Sequence, residues 1–227
     1  MRVMKASVVA VAIAAIGVVG LSAGQDADRK VAGGGITAKG WQGMVDPSAA
    51  KKGSTINDSK FMEMGGGFHI QAGSPGTYWN PANTASGDYT VSASFKEGKS
   101  SAGHPHSYGL FIGGKNMNSP TQSFVYCVAY GDGTALVRGF NGETVFNPSK
   151  RQPNAAVKKA EADGSVTQDI AWTVKGDQVS CSVNGTAVAT FSKADLVGAG
   201  KLESTDGIYG IRVAHNVDVT VTNLAKK

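Results

Sequence analysis

Charge is scarce in this sequence, and so are the motifs that most enzymes of its size carry. Charged residues make up 17% of the 227 positions and aromatics 7%. That is too little charge for a helix-covered surface, where Lys and Glu pair along each helix. The only cysteines are Cys127 and Cys181, and no CxxC, CxxCH or Cys/His cluster occurs, so zinc-ribbon and haem-attachment readings have no support. There is no Gly-x-Ser-x-Gly elbow and no His-Glu-x-x-His. Nor do the scattered acids form a Glu-x-Asp-x-Glu or Glu-x-Asp-x-x-Glu run, the arrangement by which one strand face often supplies paired glycosidase carboxylates. The nearest approach, Glu203-Ser204-Thr205-Asp206, lies in a loop-like stretch before Gly207. No cofactor motif is found, and none is expected. The net charge of +5 falls to +3 without Arg2 and Lys5, too little for a nucleic-acid partner.

Long apolar runs are missing beyond the first two dozen residues. Arg2 and Lys5 precede an uncharged Ala/Val/Ile stretch, Ala6–Leu21, which ends in the small residues Ser22-Ala23-Gly24. Basic, apolar, small is the order of a secretory signal peptide, and the stretch is short for a membrane span. Residues 1–24 are therefore expected to be removed near Gly24, giving a periplasmic or secreted chain of about 200 residues with no membrane contact. That size suits one domain with a substantial core. Residues 25–35, ending in Gly33-Gly34-Gly35, read as a flexible lead-in, and 36–227 as a single domain.

What is abundant is glycine, at 31 positions, roughly twice the usual share and with no collagen-like period. It marks turns between strands of period two. Tyr89, Val91, Ala93 and Phe95 alternate with Thr90, Ser92, Ser94 and Lys96, and Val217, Val219 and Val221 alternate with Asp218, Thr220 and Thr222, as half-buried strands require. Ile170, Trp172 and Val174 run through Lys175-Gly176-Asp177-Gln178 into Val179, Cys181 and Val183. Asn184-Gly185 then makes a two-residue turn before Ala187–Phe191. Tyr130-Gly131-Asp132-Gly133-Thr134 joins two further strands. Only Asn154–Ala162 and Ser192–Leu196 look helical. The pattern predicts an all-β, antiparallel β-sandwich with one or two short helices. Cys127 and Cys181 both fall in apolar strands, where they are either a disulfide or two buried thiols.

Candidate chemistry gathers at a few places. Phe124–Tyr130 is apolar on both faces, so it is central. With Val125, Cys127 and Ala129 inward, Tyr126 and Tyr130 lie opposite. Arg138 shares a face with Leu136 and Phe140, and Arg212 is opposite the inward Tyr209, Ile211 and Val213. A face of tyrosines and arginines suits sugars or anions, since rings stack on sugar faces and guanidinium forks reach hydroxyls and carboxylates. The same residues would also suit an ordinary solvated sheet. His104 and His106 share one side of an extended backbone, so a metal or a polar substrate could bridge them, although no third ligand follows at a convincing spacing. They are read as loop-ordering or ligand-contacting, and no metal site is expected. His69 and His215 read as core or strand-end histidines. Trp79, in the turn-rich Gly76–Pro81 segment, either plugs one end of the sandwich or contacts a ligand. Asp132 is explained by turn chemistry rather than calcium.

The stretch from Asp88 to the C-terminus resembles the concanavalin-like (laminin-G-type) jelly rolls. The resemblance rests on Asp88–Phe95, on Trp172 with Val183-Asn184-Gly185, and on Gly207-Ile208-Tyr209-Gly210-Ile211-Arg212-Val213. Among these it is most similar to exported bacterial proteins near the 3-keto-disaccharide hydrolase domain. That family's opening Leu-Phe-Asn-Gly…Trp motif is reduced here to Trp41, and its acidic strand position is occupied by Tyr126-Cys127-Val128 without the carboxylate. The resemblance implies sugar contact more than any particular reaction. The expected function is binding of a glycan or similar polar extracellular ligand without catalysis, through His104, His106, Tyr126, Arg138, Arg212 and Trp79. A sugar-active hydrolase or lyase of the 3-keto-glycoside type is the alternative, with a structural or matrix role third.

Overall fold

The computed structural model describes residues 27–98 and 104–227. The segment read as a signal peptide lies outside them. Strands β1 (Gly35–Ile36) and β2 (Gln42–Val45) are followed by a one-turn helix α1 (Pro47–Ala50), then β3 (Lys60–Met64), β4 (Gly67–Gln71), β5 (Gly76–Ala85) and β6 (Tyr89–Glu97). Next come β7 (Ser107–Lys115), β8 (Ser123–Tyr130), β9 (Thr134–Asn141), β10 (Thr144–Phe146), β11 (Gln152–Pro153) and β12 (Val166–Lys175). The chain closes with β13 (Gln178–Val183), β14 (Thr186–Ser192), helix α2 (Lys193–Leu196), β15 (Gly207–Val213) and β16 (Asp218–Lys226).

These strands build two sheets. Sheet A has the order β1-β3-β4-β16-β6-β12-β13-β14, and sheet B the order β10-β9-β8-β7-β15-β5-β2, with β11 added beside β9. All pairs are antiparallel except β1 with β3, which is parallel. The protein is an all-β, two-sheet jelly roll with short helices only. Among the described residues no helix is long and apolar enough to cross a membrane.

The inward set follows the alternation. Val91, Ala93 and Phe95 of sheet A meet Tyr108, Leu110, Val125, Cys127, Ile211 and Val213 of sheet B in one buried cluster. Trp172 is fully buried there, and its indole N–H donates to the Leu110 carbonyl at 3.1 Å. Cys127 on β8 and Cys181 on β13 form a disulfide between the two sheets. At the β13–β14 turn both Asn184 (φ 49°) and Gly185 (φ 82°) are left-handed, the geometry a two-residue turn needs to follow right-twisted strands.

One expectation, the first helix, is corrected, and two residues of the lead-in, Asp28 and Arg29, are bonded to the sandwich. The Arg29 backbone N–H donates to Asn216 Oδ1, its Nε to the Ala72 carbonyl and its Nη2 to the Val217 carbonyl, while Ser74 donates to Asp28. Residues 154–162 are not a helix. The Gln168 side chain accepts from the Lys158 N–H and donates to the Lys158 carbonyl, and Asn184 donates to the Ala156 carbonyl. Long-range amides thus satisfy groups that a helix would have satisfied internally. The other expected helix is present as α2, capped by Ser192 with Asp195 returning the bond.

Candidate ligand-binding face and histidine cluster

Sheet B has a second apolar layer on its outer face, built from Met44, Trp79, Phe111, Phe124, Tyr126, Val128, Leu136 and Phe140. Register explains how distant residues meet there. One row across the sheet runs Arg138, Tyr126, Phe111, Gly210, Trp79, Gln42. The next row runs Leu136, Val128, Gly109, Arg212, Thr77, Met44. Gly210 has to be glycine: a Cβ there would stand 2.3 Å from the Tyr78 carbonyl oxygen and 2.7 Å from the Phe111 ring. Four of the six expected contact residues, Trp79, Tyr126, Arg138 and Arg212, therefore share one face. Trp79 belongs to this layer rather than plugging the end of the sandwich.

This face is not an open groove. Tyr126 is 5% exposed and Trp79 2%, so neither ring offers a surface on which a sugar could stack. The chain leaving β2 returns over it. Asp46 sits over β15 and takes both nitrogens of the Arg212 fork at 2.5 and 2.6 Å, and Thr77 accepts a third bond from Arg212 at 3.1 Å. Beyond α1, Lys51 pairs at 2.6 Å with Glu143, in the turn between β9 and β10 at the far edge of the sheet. Residues 46–51 thus form a strap tied at one end to β15 and at the other to the β9–β10 turn.

Arg212 is consequently committed within the fold. Burial works against its charge, but the Asp46 carboxylate and the Tyr126 hydroxyl together outweigh this and hold its pKa above the ordinary value. Its guanidinium also lies 4.9 Å from the Tyr126 ring centre, within cation–π range. Burial raises the Tyr126 pKa, with Arg212 opposing.

Arg138 differs. It is half-buried at the margin of the layer, its Nε donates to Asn147 Oδ1 at 2.8 Å, and its two terminal nitrogens have no hydrogen bond among the described residues. Farther along β9, Arg151 lies 3.7 Å from the Tyr130 ring centre and pairs with Asp132 at 2.6 Å. Asp132 also accepts from the Thr134 N–H and hydroxyl, so its oxygens serve the turn, as expected.

His104 and His106 lie elsewhere. Phe111, beside Tyr126, is five residues along from His106, roughly 16 Å in a strand. The ring centres of His104 and His106 are 4.5 Å apart, and the His106 ring is 4.3 Å from that of His215 in an edge-to-face contact. Asp28 accepts from, or shares a proton with, His215 Nδ1 at 2.8 Å. A polar cavity of about 460 Å³ beside His215 is lined by Asp28, Ser48, Lys52 and Ser54 among others. Sequence reasoning missed Asp46, Asn147, Asp28 and His215 as members of these groupings. Only Asp46 carried a local signal, standing before Pro47 at the start of a helix.

One buried acid also escaped notice. Glu97 continues the inward alternation Tyr89, Val91, Ala93, Phe95 and is 4% exposed. Burial pushes its carboxyl up to about 7; the Asp218 carboxylate adds to this, and the Tyr108 hydroxyl beside it partly offsets it.

No protein-family model matches the chain, and no curated protein sequence matches it. Solved structures do match at the level of fold. The carbohydrate-binding module CBM66 from Bacillus subtilis aligns over 85% of this chain and 98% of its own, with a TM-score of 0.58 and 9% identity. A Bacillus subtilis protein of unknown function with a galectin-like fold aligns over 83% of this chain and 89% of its own, with a TM-score of 0.56 and 11% identity. At such identities the likeness is one of architecture.

Proposed function

We propose that this chain is an exported, non-catalytic β-sandwich that binds a glycan or a similarly polar ligand at the margin of sheet B. The observation that carries the reading is Arg138: a half-exposed guanidinium whose terminal nitrogens have no hydrogen bond among the described residues, oriented by Asn147 beside an otherwise sealed aromatic layer. Such a fork matches the hydroxyls, carboxylate or sulfate of a sugar. The fold shared with a carbohydrate-binding module supports the ligand class. The basic–apolar–small order of residues 1–24 and the disulfide support export to an oxidising compartment, periplasm or medium.

The hydrolase alternative is less well supported. The raised carboxyl, Glu97, belongs to an inward-facing strand position and is almost wholly buried, where a substrate could not reach it as general acid.

Screening on a glycan array, followed by affinity measurement, tests the proposal. Wild type is expected to bind one class of glycan, and Arg138→Ala to lose at least tenfold in affinity with an unchanged melting temperature. Arg151→Ala, which removes the neighbouring guanidinium on Tyr130, is expected to bind like wild type. Absence of binding across the array, or equal binding by wild type and Arg138→Ala, would overturn it.

A further inference from the structure

Four separate stretches of chain enclose the polar cavity of about 460 Å³ beside His215. Asp28 comes from the lead-in, and Ser48, Lys52 and Ser54 from α1 and the turn after it. Pro75 comes from the link between β4 and β5, and His215 from the chain leaving β15. Bonds between these stretches hold the walls in place. The Asp46 N–H donates to the Pro75 carbonyl and the Ser54 N–H to the Ala49 carbonyl, each at 3.1 Å. The buried Asn216 side chain donates to the Ala27 carbonyl at 2.9 Å, and the buried Ser74 hydroxyl to Asp28 at 2.7 Å. A cavity of this size with its walls already formed is the usual setting of a small-molecule site.

The polar groups of the lining divide into two sets. Asp28 is committed: Oδ2 accepts from Ser74, and Oδ1 lies 2.8 Å from His215 Nδ1. The rest are not. Lys51 is paired with Glu143, but the neighbouring Lys52 ammonium makes no hydrogen bond or ion pair among the described residues, and neither do the hydroxyls of Ser48 and Ser54. What faces a ligand is therefore a set of donors: three N–H of Lys52, two hydroxyls and, with a proton on Nε2, the His215 ring. That proton also makes the Asp28–His215 pair neutral, so that Lys52 sets the sign of the cavity. A carboxylate offers two oxygens to such a set, whereas a phosphate or sulfate ester offers three around a tetrahedral centre. The volume is that of a pocket for an organic molecule rather than for a single ion, so the oxyanion is carried on a larger polar body.

We propose that this cavity binds a small polar molecule, of the size of a monosaccharide, through a phosphate or sulfate ester. Lys52 supplies the charge, Ser48 and Ser54 donate hydrogen bonds, and Asp28 orients His215 against the ester oxygens. The site shares no residue with the one proposed at Arg138, so either can fail alone.

The test is calorimetric titration of the untagged chain in the Arg138→Ala background, so that the margin of sheet B does not contribute. The probes are glucose 6-phosphate, glucose 6-sulfate, glucose and inorganic phosphate. The expected result is one molecule of either ester per chain, bound at least tenfold more tightly than glucose or inorganic phosphate. Lys52→Ala, at an exposed position whose side chain makes no bond within the fold, should weaken ester binding at least tenfold, and so should His215→Asn. Lys175→Ala, the same loss of charge at the end of β12, should leave it unchanged. Failure of both esters to saturate, equal affinity for inorganic phosphate, or unchanged affinity in Lys52→Ala would overturn the proposal.

Discussion

Glu97 ends the inward face of β6 among Phe95, Tyr108 and Val166, and its titration should be visible in the stability of the whole chain. Its carboxyl binds a proton up to about pH 7 in the folded state, against 4.5 for the ordinary value. The folded state therefore holds the extra proton between those values, so stability is greatest below the lower one and falls as pH rises through the upper one. The difference is on the order of 2–3 kcal/mol. Urea denaturation of wild type should show a midpoint that declines from pH 5 to pH 8, and Glu97→Gln should show a flatter profile there. Identical slopes would mean that Glu97 is solvated in the folded state. This residue could be read from the sequence only by extending the alternation one step past Phe95. By contrast, nothing local predicts that Arg212 is neutralised by Asp46, because the two are separated by 166 positions. The arginine's place on a sheet face is a matter of period two; its partner is a matter of tertiary folding.

At the scale of the element, the strap of residues 46–51 changes what the outer face of sheet B can do. Its two ties differ in kind. The Asp46–Arg212 pair is largely buried, with side chains 15% and 7% exposed, whereas those of Lys51 and Glu143 are 66% and 57% exposed. Removing one partner of a buried pair leaves an uncompensated charge and typically costs about 3–5 kcal/mol, while exposed pairs contribute about 0–1 kcal/mol. Asp46→Asn is thus expected to lower the denaturation midpoint sharply, and Lys51→Ala to leave it nearly unchanged. Comparable losses in both would contradict the assignment of Asp46 as the anchor. The strands and hairpins were legible because alternation and Asn184-Gly185 are local signals. The strap was not, because α1 is only four residues long and packs by what it covers rather than by its own periodicity. Residues 154–162 failed in the opposite direction, a helical pattern overruled by side-chain amides from Gln168 and Asn184.

On the scale of the whole molecule, two sheets enclose the core and a second apolar layer closes the outer side of sheet B. The Cys127–Cys181 disulfide ties the sheets together across 54 residues of sequence, a closure worth roughly 4 kcal/mol by the chain-entropy relation. The expectation of a broad Tyr/Arg groove gives way to a narrower one: a sealed aromatic layer with Arg138 and Asn147 at its margin. The most direct measurement is a residue-resolved NMR titration of the chain with the strongest glycan from the array. The account predicts shifts concentrated at Arg138, Asn147, Tyr126 and the strap residues Asp46–Lys51, with the outer face of sheet A unmoved. Shifts confined to sheet A or to the histidine end, with Arg138 silent, would contradict it.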